Sequence, residues 1–316
     1  MNLHPTHPTL RIATRRSALA RAQAFQAGRL LQRRTRTPFE LVPLATSGDL
    51  HPDTPVGQLD VKGMFVDTIR AAVLDGACDL AVHSYKDLPT EAVPGLTLAA
   101  VPEREDPRDV LISRDGYAFS TLPPLSTVGT SSERRRLQLL RAKPGLQVLP
   151  LRGNIDTRLR KVAEGEYDAV VLAYAGLRRL YVPVEAGGVG ALGLPLTAAP
   201  LEPGEMLPAP AQGALAIECR SDDTVALAAC RAADHQPTHR MVRAERAFLA
   251  AMGGGCLAAV GALCSLTGAG GLELAGMLGD PGRRRVHRAS RQGAYGDPEG
   301  LGRALAVQMS SALAAV

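Results

Sequence analysis

Two short stretches set arginine into the first turns of a helix that follows a strand. Leu125 to Arg136 reads LSTVGTSSERRR, and Val148 to Arg160 reads VLPLRGNIDTRLR. Each joins a strand end to small capping residues and then to guanidinium groups. A helix N-terminus has unpaired backbone N–H groups and the positive end of the helix dipole, so it favours an anion. Arginine adds planar donor forks that grip carboxylate or phosphate in bidentate fashion. Two such turns predict a ligand with several negative groups. The alternatives are solvated helix faces or a nucleic-acid patch. An aromatic content of 3%, no tryptophan and no recognisable binding motif count against nucleic acid. Phosphate stays open, although neither a GxxxxGK[ST] loop nor a GxGxxG after the first strand is present.

Two further spots could do chemistry. Ala81 to Pro89 reads AVHSYKDLP and sets Lys86 beside Asp87 just beyond a buried strand. A carboxylate there can stabilise positive charge growing on a substrate nitrogen, or move a proton. Spacing alone favours a surface turn with a weak salt bridge, and His83 reads equally as a satisfied core histidine. Cys256 follows Gly253, Gly254 and Gly255. A thiolate on so pliant an arm could attack electrophilic carbon, while a buried structural cysteine fits the local sequence better.

The elements that must position these groups alternate between strand and helix. Thr9–Thr14 is a strand, Ser17 caps a helix to about Arg34, and Phe39–Thr46 is a second strand. After a loop, Ser47–Gly63, a helix spans about Met64–Leu74 and Gly76 stops it; Asp79–His83 is a third strand. This alternation predicts an open α/β sheet with ligands beyond the carboxyl ends of its strands. Past a charged, proline-bearing linker, 101–108, the pattern restarts with strands at Val110–Ser113, Thr127–Gly129, Gln147–Leu151 and Ala169–Ala173. Gly187–Pro210 reads as a second linker, and Ala214–Glu218 as a buried strand returning to the first domain. Thr238 caps a helix over 239–252, three weakly alternating strands follow (Leu257–Leu266, Leu272–Met277, Arg284–Ser290), and a helix from about Pro298 closes the chain.

The 316 residues suffice for two or three domains with their own cores. No run approaches the roughly eighteen apolar residues of a membrane span, and residues 1–8 read as a disordered tail without secretory character. Five scattered cysteines with no CxxC pair indicate reduced thiols in a cytosolic protein and count against a zinc site. Lysine occurs only at 62, 86, 143 and 161, so arginine carries nearly all of the positive charge.

Taken together, the segments resemble the porphobilinogen deaminase (hydroxymethylbilane synthase) family. The resemblance runs from about Leu10 to Gly261. Its ordered matches include LRIATRRS (10–17), TSGD (46–49), KGMF (62–65), AVHSYKDLP (81–89) and EREDPRD (103–109). They continue with VGTSSERR (128–135), LRGNIDTRL (151–159), AGLRRL (175–180), QGALAIECR (212–220) and GGC (254–256). The resemblance implies two α/β domains of type II periplasmic-binding-protein topology and a smaller α+β C-terminal domain with a three-stranded antiparallel sheet. The boundaries it implies are 9–104 with 201–221, then 105–200, then 222–316.

It also implies an enzyme that joins four porphobilinogen molecules head to tail with loss of ammonia. Growth would begin on a dipyrromethane cofactor held by Cys256 through a thioether, and hydrolysis would release hydroxymethylbilane. Asp87 matches the catalytic carboxylate, and Arg11 and Arg15 would act on leaving-group protonation and carboxylate binding. Lys86, Asp87, Ser131, Ser132, Arg134 and Arg135 would hold the cofactor. Arg11, Arg15, Ser17, Thr130, Arg152, Gly153, Asn154, Arg158, Arg179 and Gln212 would meet the substrate carboxylates. A cytoplasmic monomer without metal, nucleic acid or membrane partners is the corresponding expectation. The alternative is a non-catalytic, two-lobed small-anion binding protein, which leaves Cys256 unexplained. Three positions depart from the common pattern. Glu133 stands where a neutral residue is usual, Asp67 where some members have lysine, and no proline follows Cys256.

Overall fold

The computed structural model describes residues 9–45, 66–180, 194–253, 259–280, 282 and 285–314. The expected tail at 1–8, the loop at 47–63 and Cys256 lie outside them. In chain order the first elements are β1 (Leu10–Arg15), α1 (Ala18–Thr35), β2 (Phe39–Leu44), α2 (Asp67–Leu74), β3 (Leu80–Ser84) and β4 (Leu96–Ala100). Then come β5 (Asp109–Ser113), β6 (Thr127–Gly129), α3 (Glu133–Ala142), β7 (Gln147–Leu149), α4 (Ile155–Ala163), β8 (Ala169–Ala173), α5 (Tyr174–Arg179) and β9 (Thr197–Leu201). The last are β10 (Leu215–Arg220), α6 (Thr224–Ala233), α7 (Gln236–Ala251), β11 (Val260–Leu266), β12 (Leu272–Asp280), β13 (Arg285–Gly293) and α8 (Pro298–Ala314).

One compact unit holds the chain up to Arg104 together with Ala214–His239. Its sheet runs β2-β1-β3-β10-β4, with β1 parallel to β2 and β3, and β10 antiparallel to β3 and β4. Strands covered on both faces need apolar side chains on both. Leu80 and Val82 of β3 join Ile12 and Leu31 in one core, whereas Ala81 joins Ala13, Ile69 and Val73 in another. Burying Ile69 and Val73 contributes about 1.5–3 kcal/mol each. α1 begins where expected, for Ser17 Oγ accepts from Ala20 N at 3.3 Å. α6 was missing from the sequence reading. Ala226, Ala229, Cys230 and Ala233 bury one face of it in the Leu80 core, which extends this unit past the expected limit at 221.

The other unit comprises Glu105–Gly213 and Arg240–Val316. Its five-stranded sheet repeats the pattern as β7-β6-β8-β5-β9, the first three parallel and β5 antiparallel to both neighbours. Both sheets therefore have the strand order of a type II binding-protein lobe. The expected linker 187–210 is corrected in part. Thr197–Leu201 is the edge strand β9, paired with β5, whereas 181–193 fall outside the described residues. A separate antiparallel sheet, β11-β12-β13, packs with α7 and α8 around Phe248, Leu274, Leu305 and Met309. α7 starts earlier than expected. Pro237 suits a first helical turn, and Thr238 N donates to His235 Nδ1 at 3.4 Å, so Thr238 is not the cap.

Candidate active site

In the first unit the carboxyl ends of β1 and β3 carry the predicted chemistry. β1 ends at Arg15 and leads through Ser17 into α1. β3 ends at Ser84 and passes into a single 3-10 turn, Tyr85–Asp87, which leaves Asp87 exposed and Lys86 half-buried. This turn is braced from two sides. Gln23 of α1 donates through Nε2 to Ser84 Oγ at 2.7 Å, and Tyr85 N donates to Ala214 O at 3.0 Å. Beneath it, Arg70 of α2 grips Glu218 of β10 with two bonds of 2.8 and 2.7 Å, and His83 Nε2 lies 3.4 Å from the same carboxylate. Burial works to raise the Glu218 pKa, but the Arg70 bonds and then His83 outweigh it and bring the group down to about 2. His83 is thus neither a lone core histidine nor an exposed one.

Arg11 does not belong to this group. It lies near the amino end of β1, where its Nη2 donates to Asp79 Oδ1 at 2.8 Å and to Gly76 O at 2.9 Å, and its Nε to Asp79 Oδ2 at 3.2 Å. Strand geometry separates it from Arg15 by about 13 Å. Its guanidinium ties the α2–β3 turn to β1.

In the second unit the two arginine turns are where the sequence places them, and their side chains divide into distinct sets. Ser132 caps α3, accepting from Arg135 N at 3.5 Å. Thr130 is buried and its Oγ1 accepts from Ser132 N at 3.2 Å. Ser131 Oγ donates to Leu151 O at 2.9 Å and accepts from Leu151 N at 3.1 Å, so it staples one arginine turn to the other. Arg134 and Arg135 turn inward, 4% and 7% exposed, onto the fully buried Asp109. Burial alone would raise the Asp109 pKa; the two arginine charges hold it far below the usual carboxylate range instead. Glu133 settles its own question by pairing with Arg136 at 2.8 Å.

At the second turn, Gly153 has φ +105°, and a Cβ there would meet Thr157 Cγ2 at 2.9 Å, so only glycine fits. Asn154 holds the cap position of α4 but makes no capping bond with its side chain. Arg152 is exposed. Arg158 Nε donates to Gly153 O at 2.8 Å, and no carboxylate among the described residues pairs with it. Burial first, then the charge of Arg135, lowers its pKa to about 10. Arg179 is buried, donates to Gly213 O at 2.7 Å, and also falls to about 10 through burial. Gly213 has φ +88° and sits so close to Glu105 O that a Cβ would lie 2.3 Å away. Gln212, fully buried, donates to Pro107 O at 2.8 Å and to Asp109 Oδ1 at 2.9 Å. Its amide serves the frame of the site.

The sequence reading missed Asp109, Arg70, Glu218 and Gln23. Only Asp109 left a signal, as an acidic residue opening the apolar strand Asp109–Ser113. Among the described residues no cluster of His, Cys, Asp and Glu could hold a metal ion. The other four cysteines, Cys78, Cys219, Cys230 and Cys264, are all buried.

Two binding-protein-type α/β sheets with a third, antiparallel sheet, and arginines gathered at two helix starts with Asp109 shared between the buried two, define a polyanion-handling α/β protein. Known proteins sharpen that class. The family model described as porphobilinogen deaminase, dipyromethane cofactor binding domain, matches residues 10–228, and that for the porphobilinogen deaminase C-terminal domain matches 239–311. The porphobilinogen deaminase of Thermus thermophilus is 44% identical over 296 residues, covering 93% of each chain. That of a Roseiflexus species is 43% identical over 302 residues, covering 95% of each. The chain belongs to the porphobilinogen deaminase family. Among solved structures, the periplasmic VFT2 domain of Bordetella pertussis BvgS is similar at 20% identity and TM-score 0.41, covering 72% of this chain and 87% of that one. A periplasmic substrate-binding protein of a Coxiella burnetii ABC transporter is similar at 13% identity and TM-score 0.40, covering 75% and 97%.

Proposed function

We propose that this protein joins four porphobilinogen molecules into hydroxymethylbilane, each addition releasing ammonia and water releasing the finished chain. The observation that carries the reading beyond family membership is the charge imbalance around Asp109. Arg134 and Arg135 are buried and Arg158 is half-buried, with one carboxylate among them. Desolvated cations of this kind need an anion. Pyrroles bearing an acetate and a propionate supply one in planar form, which guanidinium forks match.

The same donor set fits the family's dipyrromethane. We assign Cys256 as its thioether anchor and Lys86, Asp87, Ser131, Ser132, Arg134 and Arg135 as the residues that hold it. When bound, it supplies the free pyrrole carbon from which the chain grows. Asp87, exposed beyond β3, stabilises the substrate's pyrrole N–H as positive charge gathers there while the C–N bond to the departing ammonia breaks. Arg15 and Ser17, at the end of β1, receive a substrate carboxylate nearby. Thr130, Arg152, Gly153, Asn154, Arg158 and Arg179 receive the carboxylates of the lengthening chain. Gln212 acts through Asp109 rather than on substrate.

Three domains are proposed, one around each of the three separate sheets. A cytoplasmic monomer with no nucleic-acid or membrane partner completes the proposal. No described helix is long and apolar enough to cross a membrane. Intact mass under denaturing conditions tests the central reading. Purified protein should carry an excess equal to two pyrrole units, absent from Cys256→Ser. An unmodified protein that still makes hydroxymethylbilane would refute it, and an unmodified one that only binds small anions would make it a binding protein.

A further inference from the structure

Asp109 opens β5 and is fully buried. Its Oδ2 accepts from Arg134 Nη1 at 2.6 Å. Its Oδ1 accepts from Arg135 Nε at 3.1 Å, Arg135 Nη2 at 2.7 Å and Gln212 Nε2 at 2.9 Å. Both arginines are fastened further by backbone carbonyls, Arg134 Nη1 to Leu207 O at 2.7 Å and Arg135 Nη1 to Val171 O at 2.9 Å. One carboxylate therefore orients two guanidiniums and neutralises one of them. An arginine offers five N–H groups. Arg135 spends one from each nitrogen on these partners, which leaves one on each terminal nitrogen.

We infer that Asp109 is a positioning residue for pyrrole binding. It aims the two unspent N–H groups of Arg135 at a single ligand carboxylate and cancels one of the two buried positive charges, so the Arg134–Arg135 pair takes up one carboxylate. The inference rests on the reading that Arg135 binds a pyrrole carboxylate. Two observations bear on it. Gln212 is fully buried and spends its amide on the same oxygen that Arg135 uses, so the carboxylate cannot swing away as a mobile counter-ion would. Arg158, with no acidic partner among the described residues, lies near enough to feel the charge of Arg135, so it adds a further positive charge beside the pair and no second carboxylate.

Two quantities test the inference in Asp109→Asn, Arg135→Leu and the double variant. They are the fraction of purified protein carrying the two-pyrrole adduct, by intact mass, and the porphobilinogen KM of the loaded fraction. Loss of a charge-assisted bond predicts that each single change lowers the loaded fraction or raises KM by about tenfold or more. Because Asp109 acts through Arg135, the double variant should be no worse than Arg135→Leu alone. Losses that multiply in the double variant would overturn the inference, as would wild-type loading and KM in Asp109→Asn. Should Asp109→Asn fail to fold, Asp109→Glu replaces it, keeping the charge while moving the carboxylate that orients Arg135. The same loss in that variant supports the positioning role, and wild-type values overturn it. Wild-type loading and KM in Arg135→Leu would instead remove Arg135 from the site, and the inference with it.

Discussion

Arg11 and Arg15 share strand β1 and serve opposite ends of it. Arg11 is spent on Asp79 through two bonds of 2.8 and 3.2 Å, whereas Arg15 closes the strand on the side from which Asp87 emerges. Arg11→Leu should therefore lower the melting temperature by a few degrees and leave kcat near wild type. Arg15→Leu should do the reverse, with a large fall in kcat/KM and little change in melting. Thermal melts beside steady-state kinetics separate the two. Equal kinetic damage from both would return Arg11 to the site.

Asp87→Ala is expected to cut turnover by about two orders of magnitude or more, the usual worth of a positioned acid–base or charge-stabilising group. The side chain is exposed and no described residue bonds to it, so its removal should not change stability. Single-turnover release of ammonia from porphobilinogen is the direct measurement. Near-normal release would sink the assignment.

Glu218 makes stability depend on acid in a defined direction. Its folded-state pKa of about 2 lies below the ordinary glutamate value of about 4.3, so its contribution is present above that value and fades as pH falls towards 2. The shift corresponds to something on the order of 3 kcal/mol. Glu218→Gln, which strands Arg70, should be strongly destabilised at pH 7, and the gap to wild type should narrow below about pH 4. Urea unfolding at the two pH values shows whether it does. A gap of constant size would mean that the ion pair is not the cause.

Thiol counting offers an independent check on Cys256. Cys78, Cys219, Cys230 and Cys264 are buried; burial pushes the Cys78 thiol up, and the hydrogen bond that Cys230 donates to Cys219, then burial, pushes Cys230 up. The native protein should react slowly with a thiol reagent. Once unfolded it should titrate four thiols of its five cysteines, the fifth being closed as a thioether. Five reactive thiols in active protein would contradict the covalent anchor.

Much of the fold was legible because its signals are local. The Ser17 and Ser132 caps, the apolar run before Ser84 and the glycine after α2 each act within a few residues. β9 left no such mark: Thr197–Leu201 is two alanines, a proline and no β-branched residue but its threonine, a composition suited to an edge and easily read as linker. α6 was lost for a related reason, since five of its residues are alanines and one is cysteine. At the site, residue types were legible and partners were not. Arg134 finds Asp109 across 25 positions and Arg70 finds Glu218 across 148. No periodicity reports a bond of that span. The motif around Arg11 likewise named the strand but not the partner, Asp79, which lies 68 positions away.

β10 is hydrogen-bonded between β3 and β4, yet it follows both by more than a hundred residues. During synthesis, the first sheet must therefore wait with its β3 and β4 edges unmatched while the whole of β5 to β9 is made. The second sheet needs nothing from beyond its own stretch of strands, 109–201. The lobe encoded first is thus the lobe completed last. A ribosome that stalls anywhere before Leu215 releases a chain whose Asp87 turn borders an open sheet edge, the kind of surface on which chaperones act and aggregates begin.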